Sequence, residues 1–150
     1  MIAAPDAAVL EMAIRREGRS LLQYQSEAFP WPKSSGDPTP EKVRELAREE
    51  RDAVGALVKF LARRRHTVPY LGPFPMAFTT MNFVALDFVL PRLAEDGRRA
   101  VAALERDRAA LTNGEARAEV DRLLEMKRRH LKALEALAEG GARRVSEGVA

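Results

Sequence analysis

Residues 114–141 read GEARAEVDRLLEMKRRHLKALEALAEGG, and their pattern decides the fold class. The apolar residues that recur here at spacings of three and four are Val120, Leu123, Leu124, Leu131, Leu134 and Leu137. This spacing is typical of one face of an α-helix, with the charged residues between them on the exposed side. We predict a helix that ends near Glu139, before Gly140 and Gly141, and a flexible tail over residues 140–150.

Three further segments carry the same helical spacing. The first covers residues 6–28, the second begins at Thr39, and the third begins near residues 79–80. The third keeps one apolar face through Pro91 and Gly97. Because a proline bends a well-patterned helix more often than it abolishes it, we predict one long helix with a kink from Pro91 to Gly97, rather than two shorter helices.

The links between these helices are marked by proline. Seven of the nine prolines lie in residues 29–40 and 66–79, and the remainder of the chain is rich in Ala, Leu, Glu and Arg, which favour helix over strand. The sequence therefore predicts an all-α fold with one domain over residues 1–139. Its simplest architecture is an antiparallel four-helix bundle in which the two proline-containing links cap opposite ends.

Composition excludes several classes of protein. The chain has 150 residues, 46% hydrophobic and 31% charged, with no cysteine and a net charge of +3. Disulfides, thiolate zinc sites and cysteine nucleophiles are therefore excluded, and the absence of cysteine fits a reducing, cytoplasmic environment. The longest apolar stretch, residues 83–90, is interrupted by Asp87 and is too short for a membrane span. The small charge excess, with arginines mixed among acids, disfavours nucleic acid as a partner.

Four polar residues interrupt the apolar faces at one level of the predicted bundle. Glu17 and Glu50 lie on the first and second helices, at nearly equal distances from the link that joins them. Lys127 and His130 lie one turn apart near the middle of the fourth helix. A buried carboxylate must be paired, metal-bound or protonated, because leaving it unpaired costs several kcal/mol. We therefore expect the side chains of these residues either to contact one another or a metal ion, or to reach solvent at the edge of the bundle.

This arrangement resembles the ferritin-like superfamily, in particular rubrerythrin-like bundles. Such bundles carry a Glu on the first and third helices and Glu-x-x-His on the second and fourth, which converge on two metal ions. On the matching positions Glu17 and Glu50 are present, but Ala53 stands where the first histidine is expected. Lys127 stands in place of a carboxylate, followed three residues later by the retained His130. The resemblance implies a ferritin-like fold with a degenerate di-metal site.

Three interpretations of this level remain open. The third helix offers only Ala94 and Gly97 there, so half of the ligand set is missing. The first interpretation is a core ion pair of Glu17, Glu50 and Lys127. The second is a shifted register in which the same three residues reach water. The third is a surviving site for iron or manganese, with Glu17, Glu50 and His130 as ligands.

Aromatic residues in the proline-containing links suggest an interaction surface. Trp31 lies in the first link, and Tyr70, Phe74 and Phe78 lie in the second. Exposing several rings together is unfavourable, so these side chains either fold back over the bundle or contact another molecule.

No motif of a known catalytic site occurs in the chain. It has no glycine-rich phosphate loop, no GxSxG elbow and no HExxH sequence. The expected function is that of a non-catalytic binding or scaffolding protein, which forms a homo-oligomer or binds a protein partner and holds no cofactor. The alternative is a metal-binding or redox member of the same superfamily, with a non-standard site.

Overall fold

A computed structural model describes residues 1–28, 36–82 and 84–148, and within these ranges the chain is helical with no strand. The elements in chain order are α1 (Ala4–Gly18), α2 (Leu21–Ala28), α3 (Thr39–Arg63), a short 3-10 helix (Met76–Met81), α4 (Leu86–Ala110) and α5 (Gly114–Gly148). The predicted all-α class is confirmed. Among the described residues, no helix combines the length and the apolar content that crossing a bilayer demands.

The segment predicted as one helix over residues 6–28 is two helices, α1 and α2, separated by Arg19 and Ser20. Ser20 begins the second helix as its N-cap, because its Oγ accepts a hydrogen bond from the backbone N–H of Gln23 at 3.2 Å. Gly18 ends the first helix and leaves space for Leu71, whose Cδ1 would lie 3.1 Å from a Cβ at that position. The single-helix prediction was therefore wrong at this point.

The predicted start of α3 and the continuity of α4 are confirmed. α3 begins at Thr39, where the Oδ1 of Asp37 accepts the backbone N–H of Thr39 at 2.9 Å. α4 runs unbroken through Pro91 and Gly97. It begins at Leu86, however, and not near residues 79–80, because the chain there forms the 3-10 helix instead.

α5 corrects the prediction of a flexible tail. It continues past Gly140 and Gly141 to Gly148, and residues 149–150 lie outside the described residues. Gly141 is buried against α4, where a Cβ would lie 3.2 Å from Asp87 Oδ1. Arg144 Nη2 donates to the same oxygen at 2.7 Å. Gly141 therefore allows a close approach between α5 and α4, and the ion pair between Arg144 and Asp87 links the last turns of α5 to α4.

The core consists of two apolar clusters that fix the helix directions. One contains Leu10 of α1, Leu57 of α3, Leu104 of α4 and Val120 of α5. The second cluster is formed by α2 and by the other halves of α3, α4 and α5. It contains Leu22, Val43, Leu90 and Leu134. The packed pairs are α1 or α2 with α3, α1 or α2 with α4, α3 with α5, and α4 with α5. Each of these pairs is antiparallel, whereas α3 and α4 run in the same direction.

The long link, residues 64–85, follows from this topology. It leaves α3 beside the first cluster and enters α4 beside the second, so it runs along the molecule. Arg15 Nε donates to the carbonyl of Tyr70 at 3.3 Å, and Arg19 Nη1 donates to that of Pro73 at 3.4 Å. The prediction that this link caps one end was wrong, because two parallel helices require a connection that spans their length.

Candidate functional site

Glu17, Glu50 and Lys127 meet between the two apolar clusters, and we call these three residues the ion-pair cluster. Lys127 Nζ lies 2.8 Å from Glu17 Oε1 and also donates to Glu50 Oε2. The side chains of Glu17 and Glu50 are each 1% exposed, and that of Lys127 is 5% exposed. The structure therefore brings together the three residues predicted as a core ion pair, and the water-exposed alternative is wrong.

Each carboxylate of the ion-pair cluster has further partners. Arg16 Nε donates to Glu17 Oε2 at 2.6 Å, and Arg16 Nη2 donates to Asp107 at 2.7 Å. The hydroxyl of Ser20 donates to Glu50 Oε1, which also accepts from Gln23 Nε2 at 3.0 Å. All four carboxylate oxygens of the pair are thus engaged, as burial of two charges requires.

The break between α1 and α2 makes this network possible. Because Ser20 caps α2, its backbone leaves the helical path and its hydroxyl faces Glu50 on α3. Gln23 sits one turn later and donates both to Glu50 and to the carbonyl of Ala47, at 2.7 Å. A continuous helix lacks the cap, so the break is part of how the site is built.

The electrostatics of the ion-pair cluster keep Lys127 charged. Burial is the largest single influence and lowers its pKa, but the attraction and hydrogen bonds of Glu50 and Glu17 together outweigh burial. The pKa of the Lys127 ammonium is therefore raised above its ordinary value. A charged ammonium has no free electron pair, so this lysine cannot act as a base or a nucleophile at neutral pH.

Asp96 of α4 is a fourth ionisable group beside the ion-pair cluster. Burial raises the pKa of its carboxyl, and Glu17 and Glu50 add to that effect. Lys127 and the backbone N–H of Leu21 act in the opposite direction. Asp96 therefore lies within the field of all three members of the cluster.

His130 does not join Glu17 and Glu50. Its Nε2 lies 3.2 Å from Glu49 Oε2 on α3. Neither ring nitrogen has a hydrogen-bond partner in the described part of the chain. Burial lowers the pKa of His130, against the opposing effect of Glu49. The structure therefore places His130 beside Glu49 and not with Glu17 and Glu50.

The residues present do not fit the metal pair that the ferritin-like resemblance implies. Residues 1–28, 36–82 and 84–148 contain no group of three or more His, Cys, Asp or Glu residues arranged to hold a metal ion. The Lys127 ammonium contacts one oxygen of each candidate carboxylate, and a cation there repels a divalent ion. Ala53, Ala94 and Gly97 offer no ligand atoms.

The predicted interaction surface divides into three parts. The rings of Phe74 and Phe78 pack on Tyr24 of α2, with centroids 5.4 Å and 5.7 Å apart. Tyr70 is 85% exposed. Trp31 lies outside the described residues. Phe74 and Phe78 therefore fold back over the helices, and Tyr70 faces solvent.

Sequence reasoning missed the supporting residues Arg16, Ser20, Gln23 and Asp96. One signal was present, because Ser20-Leu21-Leu22-Gln23 has the S-x-x-Q spacing that marks a helix start. Asp96 gave no such signal, since it lies at the flank of the apolar face of α4.

No protein-family model, no curated protein and no solved structure matches this chain.

Proposed function

We propose that the protein is a non-catalytic, ferritin-like helical bundle in which the ion-pair cluster occupies the place of a di-metal centre. It acts in the cytoplasm as a binding or scaffolding protein that associates with itself. The helix directions support the ferritin-like part, because bundles of that type have one long crossover between the second and third long helices. The long link, residues 64–85, runs between α3 and α4 in that way.

The observation that carries the proposal is the position of Lys127. Its ammonium lies between Glu17 and Glu50, at the level where the resemblance places metal ligands. In a di-metal centre, metal ions balance the negative charge of such carboxylates. Here Lys127 balances the charge of Glu17 and Glu50, and an ammonium offers no coordination position to a substrate. A centre in which all four carboxylate oxygens already have partners leaves no free ligand atom for a metal ion and no reactive group for a substrate.

Self-association is supported by exposed apolar side chains on the long link. Tyr70 and Met76 are 85% and 83% exposed, and Val68 and Leu71 are 43% and 37% exposed. Large apolar side chains gathered on one exposed segment are typical of protein contact surfaces.

Sedimentation velocity tests self-association. We expect wild-type protein to sediment as an oligomer, and Tyr70→Ser combined with Met76→Ser to shift it toward monomer. The matched control is Phe74→Ala, which removes a ring packed on Tyr24 and therefore lowers the melting temperature without changing the sedimentation coefficient. A monomeric wild-type protein at micromolar concentration contradicts this part of the proposal.

Elemental analysis tests the loss of the metal centre. After purification in the presence of added iron and manganese, followed by desalting, we expect less than one metal ion per ten chains. Two metal ions per chain contradict the proposal and favour a metal-binding or redox role.

A further inference from the structure

An open cleft lies beside the ion-pair cluster and has a volume of about 380 Å³. It is bounded by the end of α1, the start of α2, the middle of α4 and the long link. Glu17 and Asp96 line it together with Ser20, so the cleft reaches the outer side of the buried network. A cleft of this size accommodates a small organic molecule.

Four arginines line the cleft: Arg16, Arg19, Arg99 and Arg106. They come from two sides, because Arg16 and Arg19 belong to the α1–α2 segment and the other two belong to α4. The two on α4 are seven residues apart, which is two helical turns, so they lie on the same face. Arginines from both elements therefore line the cleft.

The two acidic residues of the cleft interact with groups other than the arginines of α4. Glu17 binds Lys127 through one oxygen and Arg16 through the other. Asp96 interacts with the backbone N–H of Leu21 and with the positive charge of Lys127. Within the described residues, neither carboxyl group forms an ion pair with Arg99 or Arg106.

The arginines, by contrast, keep unused donors. Arg106 has no hydrogen bond or ion pair with any described residue. Arg99 Nη2 donates to Glu95 Oε1 at 2.5 Å, and Arg19 donates to backbone carbonyls of Arg15 and Pro73. A guanidinium has five N–H donors, so most of these groups remain available to an acceptor that enters the cleft.

The remaining wall of the cleft is apolar. This apolar lining consists of Pro75 and Phe78 of the long link and of Ala100 and Ala103 of α4. Phe78 is fixed against Tyr24, with ring centroids 5.7 Å apart, so this wall is held in place. Small alanine side chains opposite a proline and an aromatic ring suit a flat ligand.

We propose that this cleft binds a small organic anion that has a flat apolar body and a carboxylate or phosphate ester group. The anionic group pairs with Arg99 and Arg106, and the apolar body packs between Phe78 and the alanines of α4. This inference extends the proposed binding role to a defined ligand class. It is independent of self-association and of metal content.

Two fluorescent probes with the same rings test the inference. 8-Anilinonaphthalene-1-sulfonate carries an anionic group, and N-phenyl-1-naphthylamine lacks it. We expect one sulfonate probe per chain, bound at least about tenfold more tightly than the neutral probe, because charge-assisted hydrogen bonds to two guanidiniums add to the apolar contact.

Variants locate the binding. In the double variant Arg99→Gln, Arg106→Gln, we expect the affinity for the sulfonate probe to fall about tenfold. The affinity for the neutral probe should stay within about twofold of the wild-type value. Arg98→Gln is the matched control, since Arg98 is an exposed arginine of the same helix outside the cleft. Equal binding of both probes, or an equal loss in the control, overturns the inference.

Competition separates the two anionic groups. 1-Naphthoate and 1-naphthyl phosphate are each titrated against the bound sulfonate probe in wild-type protein and in the double arginine variant. Displacement from wild type by either compound supports the inference and identifies the preferred group. Displacement by neither compound overturns it. Circular dichroism of each variant checks that the helices are intact.

Discussion

Replacing Lys127 by Met removes the positive charge from the ion-pair cluster and keeps the length of the side chain. Glu17 retains Arg16, which donates at 2.6 Å. Glu50 retains only uncharged donors, from Ser20 and Gln23, and its side chain is 1% exposed. The variant therefore leaves one buried carboxylate without a cation.

Breaking a buried ion pair by removing one partner costs about 3 to 5 kcal/mol. Because both carboxylates keep hydrogen bonds, we expect a loss near the lower limit, about 3 kcal/mol of the free energy of unfolding. For a chain of this length the melting temperature should fall by about 6 to 12 °C. Urea denaturation followed by circular dichroism at neutral pH measures the loss.

Two further variants make the test specific. Lys132→Met changes an exposed lysine of the same helix and should cost less than about 0.5 kcal/mol. Adding Glu50→Gln to Lys127→Met should recover part of the loss, because it removes the stranded charge while Gln can still accept from Ser20. A loss below about 0.5 kcal/mol for Lys127→Met refutes burial of the pair.

Three other predictions follow from the packing. Burial lowers the pKa of His130 below its ordinary value of 6.5, so the unfolded chain binds a proton first as the pH falls. The free energy of unfolding should therefore decline from pH 7.5 to 5.5, and this decline should be smaller in His130→Leu than in wild type; equal declines in both proteins contradict it. Ser20→Ala should lose about 2 to 3 kcal/mol, because it removes both the cap of α2 and a donor to the buried Glu50 carboxylate, whereas Ser26→Ala, on the same helix, should lose little in the same urea titration. Gly140→Ala should gain about 0.5 to 1 kcal/mol from helix propensity. Gly141→Ala should not gain, because its Cβ would lie 3.2 Å from Asp87, and equal gains at both glycines in chemical denaturation would indicate a detached tail.

Sequence periodicity was sufficient for the helical class and for placing Glu17, Glu50 and Lys127 at one level, but it left open whether their charges are buried. Glu17 and Glu50 interrupt otherwise apolar faces, and their equal distances from the first link placed them at one level with Lys127. That inference needed only the rise of a helix and the high cost of an unpaired buried charge.

The parts that failed depend on contacts between distant segments. The Gly140-Gly141 pair has the local character of a helix stop, yet helix continues because Gly141 packs on α4 and Arg144 pairs with Asp87. The break at Ser20 could not be predicted from the apolar pattern, because the apolar residues of α1 and α2 continue the same helical spacing across it. The course of the long link depends on the directions of α3 and α4, which no local pattern reports.

The cleft lay beyond sequence reasoning for a related reason. Arg16 and Arg106 are ninety residues apart in the chain. Each has the sequence character of an ordinary solvated arginine among acids. Only the packing of α1 against α4 brings them to one cleft.

High-resolution crystallography on crystals soaked in manganese decides whether Lys127 or a metal ion lies between Glu17 and Glu50. We expect continuous density for Lys127 with Nζ about 2.8 Å from Glu17 Oε1, within hydrogen-bonding distance of Glu50, and no anomalous peak between the two carboxylates. An anomalous peak at about 2.0 to 2.2 Å from oxygens of both Glu17 and Glu50, with Lys127 displaced, would contradict it.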